Sequence, residues 1–319
     1  MNELLEKARK SAQAISANVE KVIVGKGNIV ELSVIALMSK GHLLIEDAPG
    51  VGKTMLAKSL AKSLDCTFKR IQFTPDMLPG DITGVSIYNQ KIGDFEFRPG
   101  PIMAQIVLAD EINRATPKVQ SALLECMEEG QISIDGVANK MPAPFHVLAT
   151  QNPIEYEGTF PLPETQLDRF IMRINIGYPS AADEVKIIDD QQFNHPIEEL
   201  KPVASGFDLE KLQNAVRTVF VDELVKQYIV ALVGATRNHP AIYLGASPRG
   251  SLALFRTAQA RALLQGRDYV LPDDVKALAE PVLAHRLIVR LSDTSLDKSG
   301  RTIVKNLIDT IPVPGTLVR

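Results

Sequence analysis

The stretch His42-Leu-Leu-Ile-Glu-Asp-Ala-Pro-Gly-Val-Gly-Lys-Thr54 decides how the rest of the chain is read. His42 to Glu46 is a short, mostly apolar strand, Ala48 to Gly52 is a Pro/Gly turn, and Thr54 to Leu64 returns to helical spacing. A glycine turn between a strand and a helix lets backbone N–H groups close on a phosphate at the helix N-terminus. On that reading Gly50, Val51 and Gly52 cradle a nucleotide phosphate, Lys53 reaches the β- and γ-phosphates, and Thr54 meets Mg²⁺. Asp47 stands where the strict G-x-x-x-x-G-K-[ST] pattern has its first glycine, and a Gly-Lys-Thr turn taken alone is also an ordinary helix start. The strand before it and the helix after it favour the phosphate loop.

Working outward, further strand candidates are Phe68 to Phe73, Ala104 to Leu108, Phe145 to Ala149 and Phe170 to Ile176. Helical stretches between them predict an α/β fold with a parallel sheet. Two insertions interrupt the alternation: Ile82 to Pro101, where Phe95 and Phe97 alternate, and Gln131 to Val137, where Ile-Ser-Ile-Asp-Gly reads as a tight hairpin. Upstream, Leu4, Leu5, Ala8, Ala12 and Ile15 fall on one face of a lead-in helix, and Asn28 to Met38 makes a second. From about Tyr178 the strand signals fade into helical runs, so the chain divides into an α/β core, residues 1–178, and an all-helical domain, residues 179–319. Asp222 and Asp273 precede helical runs there and read as N-caps.

Three polar clusters sit at strand ends. The run Ile106 to Ala109 delivers Asp110 and Glu111 to the same edge as the phosphate loop, where Asp110 can hold Mg²⁺ through water and Glu111 can polarise an attacking water. Asp-Glu after a strand is also helix-cap chemistry, but its co-occurrence with the phosphate loop favours the catalytic reading. After His146 to Ala149 comes Thr150-Gln-Asn152-Pro, where Asn152 can orient water or contact the γ-phosphate; Asn-Pro by itself is a turn initiator. Arg169, just ahead of the last strand candidate, can stabilise transition-state charge or form a surface ion pair with Asp168.

Composition bounds the function. With 319 residues, 45% hydrophobic and 23% charged, and a mean hydropathy of +0.02, the chain is an ordinary globular one and not a disordered one. Lys+Arg 35 against Asp+Glu 38 leaves a net charge of -3, which supplies no field for a polyanion, so no nucleic acid is expected. Cys66 and Cys126 match neither a disulfide framework nor a zinc module and read as small residues in helical patterns. No run approaches the roughly 18 apolar residues of a membrane span, and a cytoplasmic location is expected. The histidines share no carboxylate partner, and Arg256, Arg261, Arg267, Arg286 and Arg290 read as solvated faces or subunit contacts of the helical domain.

The motifs APGVGKT (48–54), LADEINRA (108–115), ATQNP (149–153), LPETQLDRF (162–170) and GASPRG (245–250) together resemble the MoxR family of AAA+ ATPases over most of the chain. The resemblance implies an AAA+ P-loop core with a helix-2 insert at Ile82 to Pro101 and a helical lid. It implies Walker A at Lys53 and Thr54, Walker B at Asp110 and Glu111, sensor 1 at Asn152, an arginine finger at Arg169 and sensor 2 at Arg249. Arg114 ranks second to Arg169 as the trans-acting arginine. Val24 and Gly25 resemble the segment flanking the adenine, though a helix-to-helix turn reads equally well. ATP and Mg²⁺ are the implied cofactors, with Arg249 acting in cis and Arg169 supplied by the adjacent protomer of a nucleotide-dependent hexamer. A protein client, and a partner carrying a von Willebrand factor A domain, are implied as well. The alternatives are a nucleotide-gated scaffold with little turnover and a magnesium-chelatase-like or MCM-like motor.

Overall fold

The computed structural model describes residues 3–91, 93–153, 158–290 and 299–313. Its centre is a five-stranded sheet of β1 (His42–Glu46), β2 (Phe68–Gln72), β5 (Ile106–Asp110), β8 (His146–Gln151) and β9 (Phe170–Ile174). The order is β2-β5-β8-β1-β9 and every pairing is parallel. Because side chains alternate across a strand, the sheet feeds two separate cores. Leu43, Ile45, Leu108 and Leu148 face the first, with helices Glu3–Glu20, Gly27–Met38 and Lys53–Ser63. Leu44, Val107, Ala109, Val147 and Phe170 face the second, against helix Pro117–Glu129.

Strand β5 starts two residues later than expected. Its register with β2, Phe68↔Ile106 to Gln72↔Asp110, leaves Gln105 outside, where its side chain accepts from Thr67 N (3.0 Å) and donates to Ala143 O (2.9 Å). The first insertion is a short helix, Pro79–Thr83, followed by the hairpin of β3 (Gly84–Asn89) and β4 (Asp94–Pro99), with Tyr88 and Phe95 packed edge to face on its exposed surface. Gly84 is required at its base, since φ is +96° and a Cβ would lie 2.2 Å from Arg98 O. The second hairpin pairs β6 (Gln131–Ile134) with β7 (Val137–Lys140), and Asp135 and Gly136 both take positive φ (51° and 79°), as a tight primed turn demands.

The C-terminal part is helical, with long helices Gly206–Val216, Glu223–Asn238, Pro248–Leu264, Pro272–Leu283 and Gly300–Thr310. It also carries a short antiparallel ribbon of β10 (Ile242–Leu244) and β11 (Ile288–Val289), too brief for its alternation to show in the sequence. Helix Glu3–Glu20 packs on Gly206–Val216 and Pro248–Leu264, so the lead-in helix joins the core to this part. Asp222 is an N-cap, accepting from Leu224 N at 2.8 Å. Asp273 is not: the cap falls on Leu271, and Asp274 accepts from its N–H at 2.9 Å. Arg261 and Arg267 likewise, read as solvated faces or subunit contacts, instead close on the fully buried Asp274 at 2.6–2.7 Å. Burial would raise the Asp274 carboxyl, but hydrogen bonds from Arg267, Leu271 N and Arg261 outweigh it and hold it below its ordinary value. Cys66 lies just past a helix end, partly buried, and Cys126 is buried within a helix; burial pushes their thiols up to about 11 and about 12.

Removing one member of a buried, hydrogen-bonded ion cluster strands the others. Asp274→Ala is therefore expected to lower unfolding free energy by about 3 to 5 kcal/mol, measured by urea titration; a loss under about 1 kcal/mol would show that the cluster is not a structural anchor.

Candidate nucleotide site and a distant arginine pair

Gly50 and Gly52 hold φ of 86° and 94°, and a Cβ on either would meet nothing within 4 Å, so the loop is an open backbone cradle above the N-terminus of helix Lys53–Ser63. Lys53 Nζ donates to Asp47 O at 2.7 Å, lying across the loop. Asp47, at the departure from the strict motif, uses its carboxylate on Ala48 N (2.8 Å) and Gly177 N (2.7 Å), tying the start of the loop to the exit of β9. Beside the loop a cleft of about 240 Å³ is walled by Val22, Val24, Val51, Met55 and Ile176, apolar surfaces of the kind that take a flat base. Val24 lines it. Gly25 turns with φ of +71°, a conformation that side-chain-bearing residues rarely adopt, beside the Asp183 carboxylate.

Asp110 and Glu111 leave β5 at the same sheet edge. Asp110 is buried and receives Thr150 Oγ1 at 2.5 Å on one oxygen and the Arg70 Nε and Nη2 groups at 2.9 and 2.6 Å on the other. Glu111 sits in the left-handed region (φ 58°, ψ 49°), a cost that a non-glycine residue bears where the surroundings enforce it. Here Thr150 Oγ1 accepts its N–H at 2.9 Å, while its carboxylate is held by Gln72 Nε2 (2.7 Å) and Arg114 Nε (3.2 Å). Asn152 is buried at the end of β8, its carbonyl accepting from Asn113 Nδ2 at 3.4 Å. Arg70, Gln72 and Thr150 escaped the sequence reading. Thr150 sat in plain view inside ATQNP, but Arg70 and Gln72 are ordinary polar positions of β2 until β5 is laid beside them.

Arg169 and Arg249 are elsewhere. Arg169 precedes Phe170, which pairs with His42 at the beginning of β1, whereas Lys53 follows the end of β1. In a parallel sheet those are opposite edges, roughly 15 Å apart for five residues. Arg249 stands with Arg169: both reach Glu128 at the end of helix Pro117–Glu129, Arg169 Nε at 3.1 Å on one carboxylate oxygen and Arg249 Nη2 on the other. Arg249, expected to act in cis, lies at the edge opposite its own chain's phosphate loop, where helix Pro248–Leu264 begins; Ser247, its N-cap, donates to Asp168 Oδ2 at 2.8 Å there. Arg286, another arginine read as a solvated face or subunit contact, is 3% exposed and donates from Nε to Asp168 Oδ1 at 2.8 Å. Burial lowers its pKa while Asp168 opposes that shift.

Beneath this edge His42 donates from Nε2 to Met127 O and accepts from Val147 N at Nδ1, both at 3.0 Å, so both ring nitrogens are committed as a neutral imidazole. His146 Nδ1 bonds Gly41 O at 2.7 Å.

The model of the ATPase family associated with various cellular activities (AAA) matches residues 42–172, and an AAA lid domain model matches residues 234–307. The fold is thus that of an AAA+ ATPase, an enzyme that hydrolyses ATP. Among its relatives are the YeaC protein of Bacillus subtilis, 53% identical with 93% of each chain covered, and Chaperone MoxR1 of Mycobacterium tuberculosis, 43% identical over 93% of this chain and 80% of that one. A presumed ATPase from Cytophaga hutchinsonii of known structure superposes with a TM-score of 0.89 at 38% identity, covering 98% of this chain and 97% of the other. The chain belongs to the MoxR family of AAA+ ATPases.

Burial pushes His42 down to about 4 and His146, with His42 adding to the effect, down to about 3. The unfolded chain therefore binds protons that the folded chain refuses between the ordinary histidine value and those depressed ones. Stability should be full above about pH 6.5 and fall as pH drops toward 4, by up to about 1.4 kcal/mol per pH unit for each histidine. Urea unfolding from pH 7.5 to 4.5 measures it, and a slope unchanged in His42→Asn would remove His42 from the account.

Proposed function

We propose that this chain hydrolyses Mg-ATP at sites shared between protomers of a ring, Lys53, Thr54, Asp110, Glu111 and Asn152 coming from one protomer and Arg169 and Arg249 from its neighbour. The observation that carries the reading is the separation of the arginine pair from the phosphate loop across the sheet, which a single chain does not close. Gly50, Val51, Gly52 and Lys53 bind the phosphates, with Val24 and Gly25 beside the base. Glu111 polarises the attacking water and Asn152 orients it. Arg169 and Arg249 bring positive charge to the γ-phosphate as negative charge develops there. Thr54 and Asp110 would hold Mg²⁺: a hydroxyl and a carboxylate are the hard oxygen donors it takes, and the Asp110 oxygen that receives Arg70 already accommodates a cation. When bound, the metal neutralises charge on the β- and γ-phosphates.

A ring arranged this way passes each hydrolysis event to the neighbour through the lid, because Arg249 opens a lid helix. Chaperone-like remodelling of a protein client is the work proposed for that motion, and the relative named Chaperone MoxR1 supports it. A hexamer, a partner with a von Willebrand factor A domain and a cytoplasmic location belong to the same proposal. Among the described residues no helix is long and apolar enough to cross a membrane.

ATP binding, turnover and light-scattering mass measured on the same samples test the reading. Lys53→Ala should lose ATP binding. Glu111→Gln should keep it and lose roughly 10²- to 10⁴-fold in turnover. Arg169→Ala should lose about 10³-fold or more in turnover with little change in ATP affinity, and wild-type turnover should climb with assembly. Wild-type turnover in Arg169→Ala would end the finger assignment.

A further inference from the structure

Three guanidinium groups, Arg169, Arg249 and Arg286, crowd one cavity of about 320 Å³ at the sheet edge remote from the phosphate loop, with Lys40 and Arg256 on its walls. Like charges so close repel, and Arg249 itself works against the protonated state of Arg286. Two carboxylates oppose that repulsion and divide the work. Asp168 takes Arg286 and Ser247, which anchors the start of the lid helix to the core. Glu128 alone takes both remaining arginines, one on each oxygen. One of its partners comes from the core and the other from the lid.

We propose that Glu128 is a positioning residue for hydrolysis in the neighbouring protomer, clamping Arg169 and Arg249 side by side so that they reach one γ-phosphate as a pair; this rests on the trans reading above. The contact with Arg169 is made at Nε, 3.1 Å from one carboxylate oxygen, while Arg249 takes the other. Glu128 also lies in the last turn of helix Pro117–Glu129, where the helix dipole adds to its attraction for cations. The carboxylate is only one-third exposed, so the pair is held at a partly desolvated site and not at a freely solvated one. Without it, the two guanidiniums lose their shared counter-charge and separate, although nothing in the chain's own nucleotide cleft has changed.

The consequence is a defect that appears in the neighbour. Glu128→Ala, checked for an unaltered unfolding midpoint and assembly mass, should lose at least tenfold in kcat while KM for ATP stays within twofold, and Glu128→Gln, which keeps hydrogen bonding but not charge, should recover part of the loss. Mixing Glu128→Ala with excess Glu111→Gln should then raise turnover per Glu128→Ala protomer severalfold, because its intact nucleotide site now borders a subunit with an intact clamp. Arg169→Ala mixed in the same way is the reference. Wild-type or faster turnover in Glu128→Ala overturns the proposal, and so does rescue of Arg169→Ala without rescue of Glu128→Ala, which would place the defect inside its own chain. Failure of both mixtures to recover would instead overturn the trans reading itself.

Discussion

Five strands running in one direction give the sheet two chemically different edges, and the organisation of this protein follows from that. At the C-terminal edge the strands end in the phosphate loop, Asp110, Glu111 and Asn152. At the N-terminal edge they begin beside Gly41, Arg169 and the end of helix Pro117–Glu129. Each strand is about five residues long, so within one chain neither edge reaches the other.

Each edge has its own buried polar lock. At the nucleotide edge Thr150 joins the hydroxyl end of β8 to both Asp110 and the Glu111 backbone, fixing the acidic pair across two strands. Strain at Glu111 is tolerated because that bond and the contacts from Gln72 and Arg114 determine its place. At the opposite edge His42 and His146 stay neutral and satisfy backbone groups, while Asp168 and Glu128 gather the arginines. The lid is attached there and not at the phosphates, through Ser247 and Arg286 to Asp168.

Much of this was legible along the chain, since strand and turn signals are local. The first strand was located to the residue, the two insertions are hairpins, and Asp135-Gly136 is the turn its dipeptide suggests. The β10–β11 ribbon was too brief to show, and the shift of β5 was not legible, because register is set by the partner strand and not by the strand's own residues. The same reason hid Arg70 and Gln72. Asp274 was overlooked in favour of Asp273 because one position along a helix start decides which carboxylate turns inward, and that depends on the arginines that meet it.

The sequence by itself determined the chemistry: a phosphate loop, an acidic pair and the polar strand ends are written as short motifs whose meaning depends on spacing within one turn or one strand. Only the tertiary structure decided where the arginines lie. Arg169 and Arg249 are 80 residues apart, and no local pattern says on which sheet edge a residue before a strand or at a lid helix start will fall. That is settled by strand direction, by the packing of the lid on β9 and by the two carboxylates that collect the cations, all of them contacts between residues distant in sequence.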